Sequence, residues 1–355
     1  MTPAARASWL RGIAGLAIGA LAGWACSALR TPIPWMLGPL TTIAFLRVAG
    51  VDIGAPPGGR QVGQWIIGTS LGLYFTPQVV REVAGWWWLL VVGAAFAIGL
   101  GYVGGVLLAR LAGIDRTTGI FASVPGGAAE MSVLGERFGA RVDRVAAAQS
   151  LRILIVVLTI PFAVTALGLH GADAYVPGTT RFDAAGYAML MAATLAGSAV
   201  AQRLRVPNAF VLGSLVVAIP LTAMQIDLSA TPALASNAGQ CLLGCALGSR
   251  FERDFLAGAH RFIAAVALSV LAAIALSAGA AVLLASVTGL HPATVVLGMA
   301  PGGIADMCIT AKALQLGVPL VTAFQVTRLV SLLLLTAPVF ARAKAWRRAG
   351  GGHLK

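Results

Sequence analysis

Between Glu82 and Arg110, and again between Arg261 and Asp306, the chain carries no charged side chain. A helix rises about 1.5 Å per residue and a bilayer's hydrocarbon core is about 30 Å thick, so either stretch can cross a membrane. Comparable apolar runs lie at about 9–28, 33–49, 61–76 and 145–167, then at 184–202, 207–224, 237–250 and 319–341. Hydrophobic residues make up 58% of the 355 and charged residues only 10%, against about 25% charged in a soluble domain. No soluble fold of this length hides so much apolar surface. Lipid must be the solvent, and a chain that satisfies its backbone inside lipid by helices is an all-α polytopic membrane protein.

The net charge of +13 does not point to nucleic acid, because the basic residues sit between apolar runs, where they act as topology signals. Cys26, Cys241, Cys245 and Cys308 all lie in apolar stretches. Cys241 and Cys245 share a helix face, but no His or further Cys completes a metal set. His170, His260, His291 and His353 are scattered, so neither a metal nor another cofactor is expected. The first run, with Arg6 and Arg11 as a basic flank and small residues at Ala25 to Ala28, has some features of a signal peptide. A matching run downstream makes it a retained span.

That match belongs to an internal duplication. Leu37-Gly38-Pro39-Leu40 pairs with Leu212-Gly213-Ser214-Leu215, and Gln61–Phe75 with Asn237–Phe251, aligning Gly63, Gln64, Gly68, Leu71, Gly72 and Phe75 with Gly239, Gln240, Gly244, Leu247, Gly248 and Phe251. The most specific block is Pro125-Gly126-Gly127-Ala128-Ala129-Glu130-Met131 against Pro301-Gly302-Gly303-Ile304-Ala305-Asp306-Met307. Gln149 and Arg152 then keep register with Gln325 and Arg328. The expected repeats cover 1–168 and 184–345, joined by an extracytoplasmic linker over 169–183 and followed by a basic cytoplasmic tail over 346–355.

Each half also holds an interrupted segment, 117–138 and 292–316, with Pro-Gly-Gly in its middle. If both are re-entrant, each half has five full spans and the second half is inverted. With a cytoplasmic N-terminus, Arg30, Arg81, Arg181 and Lys312 then fall outside and Arg152 and Arg328 within spans, leaving 19 of the 25 Lys and Arg in cytoplasmic segments. The acidic loops around Asp173 and Asp227 land outside. Full crossing would export either the tail or the arginine-rich 137–144 loop. The re-entrant arrangement fits the charges better and lets the two loops meet near the midplane.

Inside a membrane, backbone leaves helical pairing only where protein or water satisfies it. Pro125 and Pro301 lack an N–H and Gly126, Gly127, Gly302 and Gly303 relax the chain, so each motif exposes the half-helix ends that bind ions and charged solutes in inverted-repeat transporters. Glu130 and Asp306, one turn into the second half-helix, are costly at membrane depth and mark a site by default. Arg152 and Arg328 either neutralise the acid of their own half or hold an anion; a purely structural ion pair is the bland alternative. Gln149 and Gln325, one turn earlier on the same face, are expected hydrogen-bond partners. Gln64 and Gln240 are weaker candidates. Glycines at four-residue spacing (Gly19/Gly23, Gly68/Gly72, Gly244/Gly248) read as helix-packing faces, and Trp86-Trp87-Trp88 as an interfacial anchor.

The duplicated Pro-Gly-Gly-x-Ala-acid-Met motif, with Gln-x-x-Arg downstream and Pro-x-x-x-x-Leu-Gly early in each half, resembles the AbrB-type membrane protein family over nearly the whole chain. The resemblance implies a twofold AbrB duplication domain. It carries conflicting functional labels: regulator of gene expression, ammonia monooxygenase and transporter. It is distinct from the short, β-rich, DNA-binding regulator of the same name. A monooxygenase needs a redox metal or organic cofactor, for which no cluster or nucleotide fingerprint is present. Direct transcriptional control needs a cytoplasmic reader domain, and only short loops and the tail are expected there. The expectation is a non-enzymatic inner-membrane transporter of a small solute, coupled to H+ or Na+, compatible with a homo-oligomer and with both termini cytoplasmic. The alternative is a membrane sensor acting indirectly on gene expression.

Overall fold

The computed structural model describes residues 2–171, 175–251 and 260–350. Asp173 of the expected linker and residues 351–355 of the expected tail lie outside the described residues. Within them the chain is helical, with fifteen helices and no strand.

The first half contains α1 (Pro3–Ala28), α2 (Pro34–Val48), α3 (Gly59–Gly72), α4 (Pro77–Gly85), α5 (Trp87–Ala112), α6 (Arg116–Ser123), α7 (Ala128–Arg137) and α8 (Val142–Ala166). The second contains α9 (Ala184–Arg203), α10 (Ala209–Ala223), α11 (Ala233–Gly248), α12 (His260–Thr288), α13 (Pro292–Met299), α14 (Ile304–Ala313) and α15 (Val318–Gly350). Local chemistry sets many boundaries. Asp115 Oδ1 accepts from Thr118 N–H at 2.8 Å to start α6, and Asp183 Oδ2 accepts from Gly186 N–H at 2.6 Å to start α9. Pro34, Pro77 and Pro292 open α2, α4 and α13, where a missing N–H costs nothing. Gly113, left-handed at φ +66°, ends α5.

Among the described residues five helices are long and apolar enough to cross a membrane: Ala5–Ala28 within α1, and α5, α8, α9 and α12. Ala209–Ala223 and Val318–Leu332 are apolar but shorter. The remaining expected spans, α2, α3 and α11, are short helices, each with a set of buried residues that includes glycines, and each also carries an exposed apolar side chain: Phe45, Val62 and Leu234.

Packing follows the repeat with an exchange of partners. α2 packs on α11 of the other half, and its counterpart α10 packs on α3. Likewise α5 packs on α15, and α12 on α8. The glycine faces explain the first exchange. A Cβ on Gly68 would stand 2.9 Å from Val211 O, and one on its counterpart Gly244 would stand 2.5 Å from Met36 O. Only hydrogen at these positions lets the helix backbones touch. The result is two groups, a glycine-packed one (α1–α3, α9–α11) and one built around the interrupted segments (α5–α8, α12–α15), joined chiefly where α3 meets α14 and α15.

In each interrupted segment the two outer ends lie together. Arg141 N–H donates to Thr118 Oγ1 at 2.9 Å, tying the start of α8 to the first turn of α6, and Phe121 stacks on Phe138 with centroids 6.0 Å apart. In the second half Gly317 N–H donates to Thr294 Oγ1 at 3.2 Å, tying the approach to α15 to the first turn of α13.

Candidate functional site

The geometry of the two loops follows from proline. In a continuous helix Phe121 O would accept from the N–H four residues on, but that residue is Pro125. Gln149, fully buried on α8, supplies the donor: its Nε2 reaches Phe121 O at 2.8 Å, Val124 O at 2.9 Å and Ala122 O at 3.3 Å. One turn further, Arg152 Nη1 donates to Val124 O and Nη2 to Gly126 O, both at 3.1 Å. The second half repeats this bond for bond. Pro301 denies a donor to Leu297 O, Gln325 donates to Leu297 O, Gly298 O and Ala300 O at 2.9–3.3 Å, and Arg328 donates to Ala300 O at 2.5 Å and Gly302 O at 2.6 Å.

The middle glycine has a steric cause. A Cβ on Gly126 would stand 2.6 Å from Met131 Cγ, and one on Gly302 would stand 2.7 Å from Met307 Cγ. Both methionines are buried and fold back over their loops. Pro, Gly, Gln, Arg and Met thus form one device, which explains why they recur together.

The arginines hold loop carbonyls, and among the described residues neither forms an ion pair with Glu130 or Asp306. Of the roles expected for them, neutralising an acid or holding an anion, the contacts show neither directly; they show loop support. Each keeps an Nε–H with no acceptor among the described residues, although both side chains are only 4% exposed. Asp306, 6% exposed, accepts from Gly303 N–H at the start of α14. Glu130 occupies the same position on α7 but is only half-buried.

The two loops share a cavity of about 80 Å³. Gly126, Gly127, Gly302 and Gly303 line it with Pro125, Arg152, Arg328 and Asp306. Pro301 lines a separate space of about 30 Å³ behind the loops, together with Pro125 and Arg152. Glu130, Gln149 and Gln325 do not reach the shared cavity. Its opposite wall comes from the glycine-packed group: Arg60 and Gln64 of α3, Asn208 at the start of α10, and Arg250 just after α11. Gln64 Nε2 donates to Asn208 Oδ1 at 3.3 Å, and Asn208 is left-handed at φ +49°.

Arg60, Asn208 and Arg250 were not among the sequence-derived site residues. Their repeat partners are Ser236, Ile33 and Tyr74, so a search for matched pairs passes over them. The available signal was position: two arginines at opposite ends of the two short glycine-rich helices. Cys241 and Cys245 pack against Gly19 of α1, and among the described residues no three His, Cys, Asp or Glu side chains gather to hold a metal ion.

Long apolar helices, partner-exchanged halves and a charged cavity enclosed among them define the class of multi-pass helical membrane proteins. A family model described as "Transition state regulatory protein AbrB" matches residues 35–344, and the chain belongs to this AbrB family. It is 28% identical to the "Uncharacterized protein YhjN" of Bacillus subtilis (strain 168), over 92% of this chain and 91% of that one. It is 26% identical to the "Putative regulator AbrB" of Escherichia coli (strain K12), over 89% and 91% respectively.

Proposed function

We propose that this chain is an ion-coupled secondary transporter for a small solute, made of two inverted five-span repeats, each with a re-entrant Pro-Gly-Gly hairpin. The observation that carries the reading is the single cavity lined by both loops, Arg152, Arg328 and Asp306. Paired half-helix ends facing a buried charged space are how inverted-repeat transporters build a site.

Loop-to-loop hydrogen bonds support the topology. Gly178 N–H donates to Leu73 O at 2.9 Å, and Tyr175 Oη donates to Glu82, joining segments that the five-span arrangement assigns to the outer face. Arg261 Nε–H donates to Leu111 O at 3.1 Å, joining two segments assigned to the inner face. With six spans per half, Gly178 and Leu73 would sit on opposite sides. Depth agrees as well: α8 climbs about 16 Å between Arg141 and Arg152, roughly half the hydrocarbon core.

In this reading the hairpins enter from opposite faces, Asp306 and Glu130 carry the coupling H+ or Na+, and Arg152 and Arg328 hold the loops and present positive charge. The group bearing the hairpins moves against the glycine-packed group to alternate access. The membrane is the bacterial inner membrane, with both termini cytoplasmic. The name of the Escherichia coli relative favours a second reading, a membrane sensor that acts on gene expression without net transport.

The test is a solid-supported-membrane current assay on proteoliposomes, with a panel of anions, cations, amino acids and ammonium, and the Glu130→Gln/Asp306→Asn variant alongside. A current lost in the variant is expected. Unchanged current in the variant would remove the coupling role, and saturable binding without flux would favour the sensor.

A further inference from the structure

The cavity has a strong charge asymmetry. Arg60, Arg152, Arg250 and Arg328 line it against one acid, Asp306. Glu130 lies outside the lining but within electrostatic reach of Arg250. Counting it, the arginines still exceed the acids by two. Among the described residues neither Arg60 nor Arg250 has an ion-pair partner. The two buried arginines leave their Nε–H groups without acceptors. The half-helix N-termini at Gly127 and Gly303 open on the same space, each with one acid, Glu130 or Asp306, in its first turn. Unpaired donors and surplus positive charge around the cavity call for an anion and repel a cation such as ammonium.

The rest of the wall narrows the class. Leu243, Leu247 and Val211 on one side face Ile153 and Leu329 on the other. An inorganic oxyanion would press polar oxygens against these side chains and lose hydration with no return. A carboxylate on a short carbon body matches both surfaces.

We propose that the solute is a small organic carboxylate, its charged end gripped across the seam by Arg60 and Arg250 and its body lying on the leucine wall. This rests on the transporter reading and names its substrate class. Guanidinium suits the role because its fork takes a carboxylate through two parallel N–H bonds. Arg60 and Arg250 belong to one helix group and the loops to the other, so an occupied site bridges both.

The test is isothermal titration of the purified full-length chain in detergent with individual two- to six-carbon mono- and dicarboxylates, and with sulfate, phosphate and ammonium. Saturable binding of at least one carboxylate is expected. It should weaken about tenfold to a hundredfold in Arg60→Gln and Arg250→Gln, as when charged hydrogen bonds are lost. Arg60→Lys and Arg250→Lys should fall between, which also covers failure of the Gln variants to fold. No binding by any carboxylate overturns the proposal. So does ammonium binding, sulfate or phosphate binding as tight as the best carboxylate, or carboxylate binding unaffected by all four substitutions. Carboxylate binding without flux in proteoliposomes would refute transport and leave the ligand class standing. Flux of a cation would do the reverse.

Discussion

Replacing Gln149 by Leu tests the central structural argument. The side chains are similar in size and Gln149 is fully buried, so the change removes donors while nearly preserving volume. Val124 O keeps its bond from Arg152, but Phe121 O and Ala122 O lose the donor they take from Gln149. Phe121 O cannot recover one from within its own helix, because Pro125 has no N–H. An interhelical hydrogen bond in a membrane contributes only about 0.6 kcal/mol on average, because the reference state finds other partners. A buried group left unsatisfied costs about 1–3 kcal/mol. The second figure governs here, since proline blocks the local alternative, and the expected loss is about 2–4 kcal/mol. Gln325→Leu should cost a similar amount. Reversible unfolding in bicelles, followed by tryptophan fluorescence, measures both. Gln78→Leu, at an exposed position, is the control and should change stability by less than about 0.5 kcal/mol. If Gln149→Leu loses no more than about 0.6 kcal/mol, proline-created orphans do not explain why Pro and Gln recur together.

Three other outcomes follow from the geometry. A Cβ on Gly38 would stand 2.5 Å from Ala22 O, so Gly38→Ala should destabilise by about 1–3 kcal/mol, whereas Gly99→Ala, facing open space, should be neutral in the same assay. Cysteines introduced singly at the exposed residues Arg116 and Gln315 in a cysteine-free background should react with impermeant maleimide from opposite faces; labelling from one face would refute inverted hairpins. Asp306→Asn alone should impair coupled current more than Glu130→Gln, because Asp306 lines the cavity and Glu130 does not; equal effects would put both acids in one coupling site.

Much of the fold was legible in the chain. The uncharged runs are local features, and α5, α8, α9 and α12 lie close to where those runs placed them. The interrupted segments were legible for the same reason: a proline removes one N–H whatever surrounds it. Gln149 and Arg152 could be singled out because a second copy at Gln325 and Arg328 held the same spacing. Their exact task could not. An arginine near an acid in sequence suggests an ion pair, and only the fold shows the guanidinium turned to the loop carbonyls beside the proline, while Gln149 takes the one that proline left open.

The sequence by itself determined which segments are apolar, where helical pairing fails, and which residues the duplication repeats, because these depend on neighbours along the chain. The tertiary structure alone decided that Asp306 lines the cavity while Glu130 does not, and that Arg60, Asn208 and Arg250 complete its wall. The glycine contacts of Gly68 and Gly244 bring α3, α10 and α11 together across distant parts of the chain. The duplication repeats every motif twice, but the wall facing the two loops takes one arginine from the start of α3 and another from beyond the end of α11. That asymmetry arises from packing, and no matched pattern along the chain records it.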